Sequence, residues 1–141
     1  MQIESYNFPE DLYYEKNHFW AKIESDGSVI FGATDFFQKL AGEIVYVELP
    51  MKGAKVKQSE SMSSLESGKW VGKIFAPVSG EITQANSELD DSPELLNQSP
   101  YGDGWIGKIK PSNLDAELAN LMKVGPDFEK FMREEMDKHK K

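Results

Sequence analysis

The chain has 141 residues, with 16 Lys+Arg against 24 Asp+Glu, a net charge of −8 and no cysteine. That length suits one domain, which buries about 68–70% of its unfolded surface and so needs no metal or disulfide to stay folded. The negative balance disfavours phosphate backbones and anionic membranes as partners, and the lack of cysteine rules out disulfides, thiolate metal sites and a cysteine nucleophile, so thiol chemistry has to be imported.

The N-terminal stretch MQIESYNFPEDLYYEKNHFW is acidic and has neither a basic n-region nor a continuous apolar h-region. Nowhere do about 18 apolar residues run together, and the chain reads as soluble and cytoplasmic. In FWAKIESDGSVIFGAT, two β-branched and aromatic runs flank Ser25-Asp26-Gly27, where Asp-Gly supplies the positive φ of a tight hairpin. Residues 43–49, EIVYVEL, predict a strand with Val45, Val47 and Leu49 on one face and Ile44 and Tyr46 on the other, both faces at least partly covered, before Pro50 stops the pairing. Leu65 then ends a short apolar stretch, Ser67-Gly68 is turn-forming, and Val71 to Phe75 returns as a strand. Lys69 therefore belongs near the tip of a hairpin, projecting into solvent. In GKIFAPVSGEITQAN, Ile74 and Phe75 precede Pro77, Ser79-Gly80 turns the chain, and Ile82 leads out. Gly42-Glu43-Ile44 echoes Gly80-Glu81-Ile82, a pattern that two related sheets facing each other would leave.

An acidic connection, SELDDSPELLNQSPYGDG, follows, in which Ser92 caps a short helical turn from Pro93. Ser112 with Asp115 approximates a capping box, and Leu114, Leu118, Leu121 and Met122 share one face of a helix that Gly125-Pro126 ends while starting another. Phe128, Phe131, Met132 and Met136 form the apolar stripe of this last helix and dock on the sheets; Lys138, Lys140 and Lys141 lie near the negative end of its dipole. The chain reads as a single domain over 1–141, mainly β over about 14–111 and helical over about 112–141.

Spacing alone leaves Lys69 an ordinary solvated turn lysine. A P-loop would need glycine at Ser63 and Ser or Thr at Trp70. A biotin-bearing lysine typically sits between methionines, and Met51-Lys52-Gly53 is only a partial decoy after Pro50. His18 and His139 lie far apart in sequence, and Asp90-Asp91 reads as a solvated loop, so no catalytic group and no metal site is assigned.

Five blocks carry a resemblance across almost the whole chain: HFW at 18–20, GATDFFQKLAGEIVYVELP at 32–50, LESGKW at 65–70, APVSGEI at 76–82 and DSPELLNQSPYGDGWIGKIKPS at 91–112. The last is the most specific, with Asn97, Pro100, Tyr101, Gly104, Trp105, Lys108 and Lys110 all in place. In these blocks the chain resembles the H-protein family of the glycine cleavage system. The resemblance implies a lipoyl-domain-type β-sandwich, a barrel-sandwich hybrid with C-terminal helices and the modified lysine at a hairpin tip. In that family the lysine of a Glu-Ser-x-Lys turn bears lipoate through an amide, which assigns Lys69 as the attachment site within Glu66, Ser67, Gly68 and Trp70. The protein is then a non-catalytic carrier. Its lipoyl-lysine arm shuttles an aminomethyl intermediate and reducing equivalents among glycine decarboxylase, aminomethyltransferase and dihydrolipoamide dehydrogenase, after loading by a lipoate-attaching enzyme. The dithiolane supplies the exchangeable disulfide that the chain lacks, and tethering adds effective concentration.

The resemblance breaks at two carboxylates. Phe19 replaces the acid of a usual His-Glu-Trp, and Lys73 replaces that of the usual Ala-x-Ser-Asp after the lysine; in the family these acids resemble a holding site for the aminomethyl group. Phe19 and Lys73 are therefore residues of a candidate arm-holding cleft, with Glu43 or Glu66 as replacement acids, and Trp70 adds a large apolar surface where the family usually has a small residue. Two alternatives follow. One is the lipoate-binding-protein subgroup associated with heterodisulfide-reductase-like sulfur-oxidising complexes, whose sulfur cargo needs no amine-binding carboxylate. The other is a relay passing lipoyl groups to other carriers.

Overall fold

A computed structural model describes residues 1–68 and 70–139; Lys69, Lys140 and Lys141 lie outside the described residues. The chain opens on a hairpin that the sequence did not reveal, β1 (Gln2–Ile3) with β2 (Tyr6–Asn7). Next come β3 (Tyr13–Glu15), β4 (Phe19–Ile23) and β5 (Val29–Ala33), paired antiparallel in sequence. The β4–β5 hairpin is the expected one: Gly27 takes φ 87° and donates to the Glu24 carbonyl at 3.0 Å. Helix α1 (Asp35–Ala41) starts where the Thr34 hydroxyl accepts from Phe37 N at 3.2 Å and stops at Gly42, φ 86°.

β6 (Ile44–Val47) departs from the expected alternation. Ile44 and Val47 are buried while Val45 and Tyr46 are 55% and 52% exposed. The cause is a bulge between Ile44 and Tyr46, which adds one residue to the ladder and shifts the inward positions from i, i+2 to i, i+3. β7 (Lys55–Val56), β8 (Ser61–Ser67), β9 (Val71–Phe75) and β10 (Gly80–Ala85) follow. Ser92 ends one short helix, α2 (Glu88–Asp91), and its carbonyl accepts from Leu95 N at 3.1 Å at the start of the next, α3 (Leu95–Gln98). After β11 (Gly107–Pro111) comes α4 (Leu114–Leu118), shorter than the expected helix. Its N-cap is Asn113, and Leu121 and Met122 leave it: Met122 instead bridges Tyr14, with N–H···O distances of 2.8 and 2.9 Å. Two buried-strand hydrogen bonds thus override a helical periodicity.

Six strands form one sheet in the order β3-β4-β5-β11-β10-β7, and three form the other, β6-β8-β9. Phe19, Phe31, Ile82 and Ile109 of the first meet Ile44, Val47, Leu65 and Ile74 of the second in one core. The Gly-Glu-Ile echo fits this arrangement, since Gly42 and Gly80 both take positive φ and deliver Ile44 and Ile82 to the same interior from facing sheets. Each such fully buried side chain is worth about 1.5–3 kcal/mol.

Helix α5 (Pro126–Lys138) docks as its stripe predicted, with Phe128, Met132 and Met136 buried against Ile3, Phe8, Tyr14, Trp20 and Phe36. Here the tertiary structure brings the two histidines to one ring, His18 at 4.8 Å and His139 at 6.0 Å from Phe36. His18 Nε2 donates to Glu135 Oε1 at 2.9 Å. Burial holds the His18 imidazole below its ordinary value, aided by the nearby charges of His139 and Lys138 and opposed by Glu135. Burial pushes Glu135 up, but hydrogen bonds from Lys138 and His18 outweigh it and keep the carboxyl below its usual range.

A depressed histidine binds fewer protons folded than unfolded. The stability it contributes is complete above the unfolded value of 6.5 and is lost as pH falls through it. Glu135 acts in the same direction only below its unfolded value of 4.5. The melting temperature is therefore expected to fall between about pH 7 and pH 5.5. His18 sits at φ 77°, which asparagine tolerates, so His18→Asn is the matched control and its melting temperature should change less over that window. Equal slopes would remove His18 as the titrating group.

Candidate functional site

β8 and β9 form the expected hairpin, with Leu65 opposite Gly72 and Glu66 opposite Val71. Ser67 N donates to the Trp70 carbonyl at 2.8 Å, so the strands stay paired up to the last residues before the turn. Leu65 and Ile74 root the hairpin in the core at 0% exposure, and Ser67 is buried at 7%. Only Gly68 and residue 69 lie inside the Ser67–Trp70 closure. Gly68 is exposed, and a β-carbon there would meet nothing within 4 Å. The side chain singled out from sequence, Lys69, lies outside the described residues, so the structure speaks to its frame alone.

That frame is asymmetric. On the core side, the Trp70 indole covers Gly72, where a β-carbon would overlap Cη2 and Cζ3 of the ring, and stands edge-on to Phe37 with centroids 5.6 Å apart. Phe37 packs in turn on Phe19 at 5.0 Å. Alternation along β9 turns Gly72 and Ile74 inward and Val71 and Lys73 outward. Phe19 and Lys73 therefore do not share a cleft. Phe19 is fully buried beneath Phe37, whereas Lys73 is exposed on the far face of the three-stranded sheet. Glu66 is also exposed, in one cross-strand row with Tyr46 and Val71.

A cleft of about 300 Å³ opens beside the turn, lined by Ala41, Gly42, Glu43, Val45, Ser67 and Gly68. Its floor is the α1–β6 corner, and Asn97 fixes that corner. Asn97 Oδ1 accepts from Ile44 N at 2.9 Å, and Nδ2 donates to the Gly42 carbonyl at 2.8 Å and to Gln38 Oε1 at 3.0 Å. The sequence singled out Asn97 only through the resemblance; no local pattern could reveal hydrogen bonds to residues more than fifty positions away. Of the two carboxylates suggested as replacements, Glu43 lines this cleft and Glu66 does not.

A larger groove of about 800 Å³ runs over Lys55, Lys57, Ser79, Lys110 and Glu117, and among the described residues it shares none with the turn. Ser79 N donates to Glu117 at 2.7 Å, so two of its polar groups satisfy each other. Asp90 and Asp91 are exposed, as expected, though they belong to α2 rather than to a loop.

Two facing sheets, a stiff hairpin presented at one end and a C-terminal helix define a lipoyl-domain-type β-sandwich. A solved glycine cleavage system H protein from Mycobacterium marinum has the same fold, with a TM-score of 0.71 at 32% identity over 84% of this chain and 90% of that one. The family model described as "Glycine cleavage H-protein" matches residues 12–135. A probable glycine cleavage system H protein of Pyrococcus abyssi is 49% identical over 131 residues, 93% of this chain and 94% of its own length. A probable glycine cleavage system H protein 2 of Sulfolobus acidocaldarius is 50% identical over 117 residues, 81% of this chain and 78% of its own length. The chain belongs to the glycine cleavage H-protein family.

Proposed function

We propose that the protein is a non-catalytic carrier bearing lipoate on Lys69 through an amide, and that its cargo is the aminomethyl group of glycine breakdown. The observation that carries this reading is the hairpin itself. Pairing that persists to Ser67 and Trp70 carries a stiff hairpin post out to the exposed Gly68, the residue that directly precedes Lys69 in sequence. A bound lipoyl group supplies a dithiolane, the redox-active disulfide that a cysteine-free chain cannot make.

The chain's own residues then divide the work. Leu65 and Ile74 anchor the post, the Ser67–Trp70 hydrogen bond closes it, and Gly68 leaves room for an attaching enzyme to approach. Glu43, on the cleft beside the turn, is the carboxylate able to accept charge-assisted hydrogen bonds from an amine in place of the acids missing at 19 and 73. The partners are a lipoate-attaching enzyme, glycine decarboxylase, aminomethyltransferase and dihydrolipoamide dehydrogenase, in the cytoplasm. Among the described residues no helix is long and apolar enough to cross a membrane.

The deciding assay supplies lipoylated protein to glycine decarboxylase with glycine and labelled bicarbonate. Label exchange into glycine is expected, with a reduced rate in Glu43→Gln. No exchange with a decarboxylase that works on another H protein removes the glycine-cleavage cargo. The buried Phe19 and outward Lys73 favour a second reading, in which the arm carries a sulfur cargo for a heterodisulfide-reductase-like complex, since such a cargo needs no carboxylate beside the turn. Absence of glycine exchange together with loading by a reduced sulfur donor would select it.

A further inference from the structure

Trp70 is 42% exposed although it packs on Gly72 and Phe37, whereas Trp20 is 2% exposed and its Nε1 donates to the Pro100 carbonyl at 2.9 Å. One side of the Trp70 ring is bedded on Gly72, the only residue type that leaves space for it, and on the edge of Phe37. The rest faces solvent directly after residue 69. We infer that this exposed side of the indole is the resting seat of the dithiolane borne on Lys69, an inference that rests on the carrier reading above.

The physical case has three parts. An arm tethered one residue away is held at high effective concentration over the ring, so a weak contact is enough to populate the seat. Divalent sulfur over or beside an aromatic ring is mildly favourable, and the preference is roughly twofold to tenfold over the free arm. That is strong enough to shelter the disulfide from casual reductants and weak enough to release it to a partner's active site. The bed matters as well: a ring already packed on Gly72 and Phe37 has less rotamer freedom to lose when sulfur settles on it than a free side chain would.

The test uses the full chain, lipoylated, with intact mass establishing the adduct at residue 69. Tryptophan emission is compared with the dithiolane oxidised, with it reduced by a water-soluble phosphine, and in unmodified Lys69→Arg. A disulfide quenches indole on contact, so emission from Trp70 should fall when the arm is oxidised and recover on reduction. The difference should vanish in Trp70→Phe, which leaves the other tryptophans in place. As a second measurement, phosphine should reduce the dithiolane about twofold to tenfold faster in Trp70→Leu than in the parent. An adduct with no redox-dependent emission, a difference that survives in Trp70→Phe, or an unchanged reduction rate overturns the seat and leaves the carrier reading intact. Failure to find any adduct overturns both.

Discussion

Replacing Lys69 with arginine is expected to abolish the lipoyl adduct completely while leaving the fold unchanged. Arginine keeps the charge and most of the length, but its guanidinium, protonated at all accessible pH, is not a nucleophile for acyl transfer. Residues on either side are exposed, and a hydrogen bond from Ser67 N to the Trp70 carbonyl closes the hairpin. Substitutions at such positions usually change stability by less than about 0.5 kcal/mol. Intact mass after expression in a lipoate-replete host reads the first effect, and a urea titration reads the second. An adduct that persists in Lys69→Arg would move the attachment elsewhere. A large loss of stability would make the lysine a structural residue and leave the post without a function.

Phe19→Glu is expected to cost about 3–5 kcal/mol, a large share of the roughly 5–15 kcal/mol that holds a domain of this kind together. Phe19 is fully buried between Phe37 at 5.0 Å and Phe75 at 6.4 Å, in a core whose other members are apolar. A carboxyl there must stay protonated or ionise without a partner, and the vacated ring volume adds a cavity cost. The result bears on function, because the resembling family usually has glutamate at this position. In this chain the aromatic column Phe19–Phe37–Trp70 occupies the space beneath the turn. Restoring the acid is therefore not expected to restore an amine-holding site, and exchange with glycine decarboxylase should fall with stability rather than rise. A loss below about 1 kcal/mol would mean that position 19 opens to solvent and can host a carboxylate after all.

The elements most legible in the sequence are those set by local chemistry. Asp26-Gly27 marked a hairpin because few residues accept φ 87°, and Gly125-Pro126 marked the start of α5 because proline fits a first helical turn. The stripe of Phe128, Met132 and Met136 marked its buried face. The β6 bulge was not legible, since inserting one residue into a ladder depends on the partner strand. Nor was the fate of Leu121 and Met122, which have helical spacing but leave α4 because Tyr14 offers Met122 two backbone hydrogen bonds.

What the sequence determined by itself is one turn: a lysine in a Glu-Ser-Gly-Lys turn between strand-forming runs, in a chain with no cysteine of its own. Residue types and spacing are enough to place that turn, because its residues are covalently adjacent; the resemblance to the H-protein family, not spacing, singles out its lysine for attachment. What only the tertiary structure decided is what surrounds the turn. Phe37 meets Trp70 edge-on with Phe19 packed beneath it, Glu43 lines the cleft on the other side, Asn97 pins the floor, and Lys73 faces away. Those relations join residues tens of positions apart, and they are fixed by packing and hydrogen bonding across the two sheets, for which no short stretch of sequence carries the information.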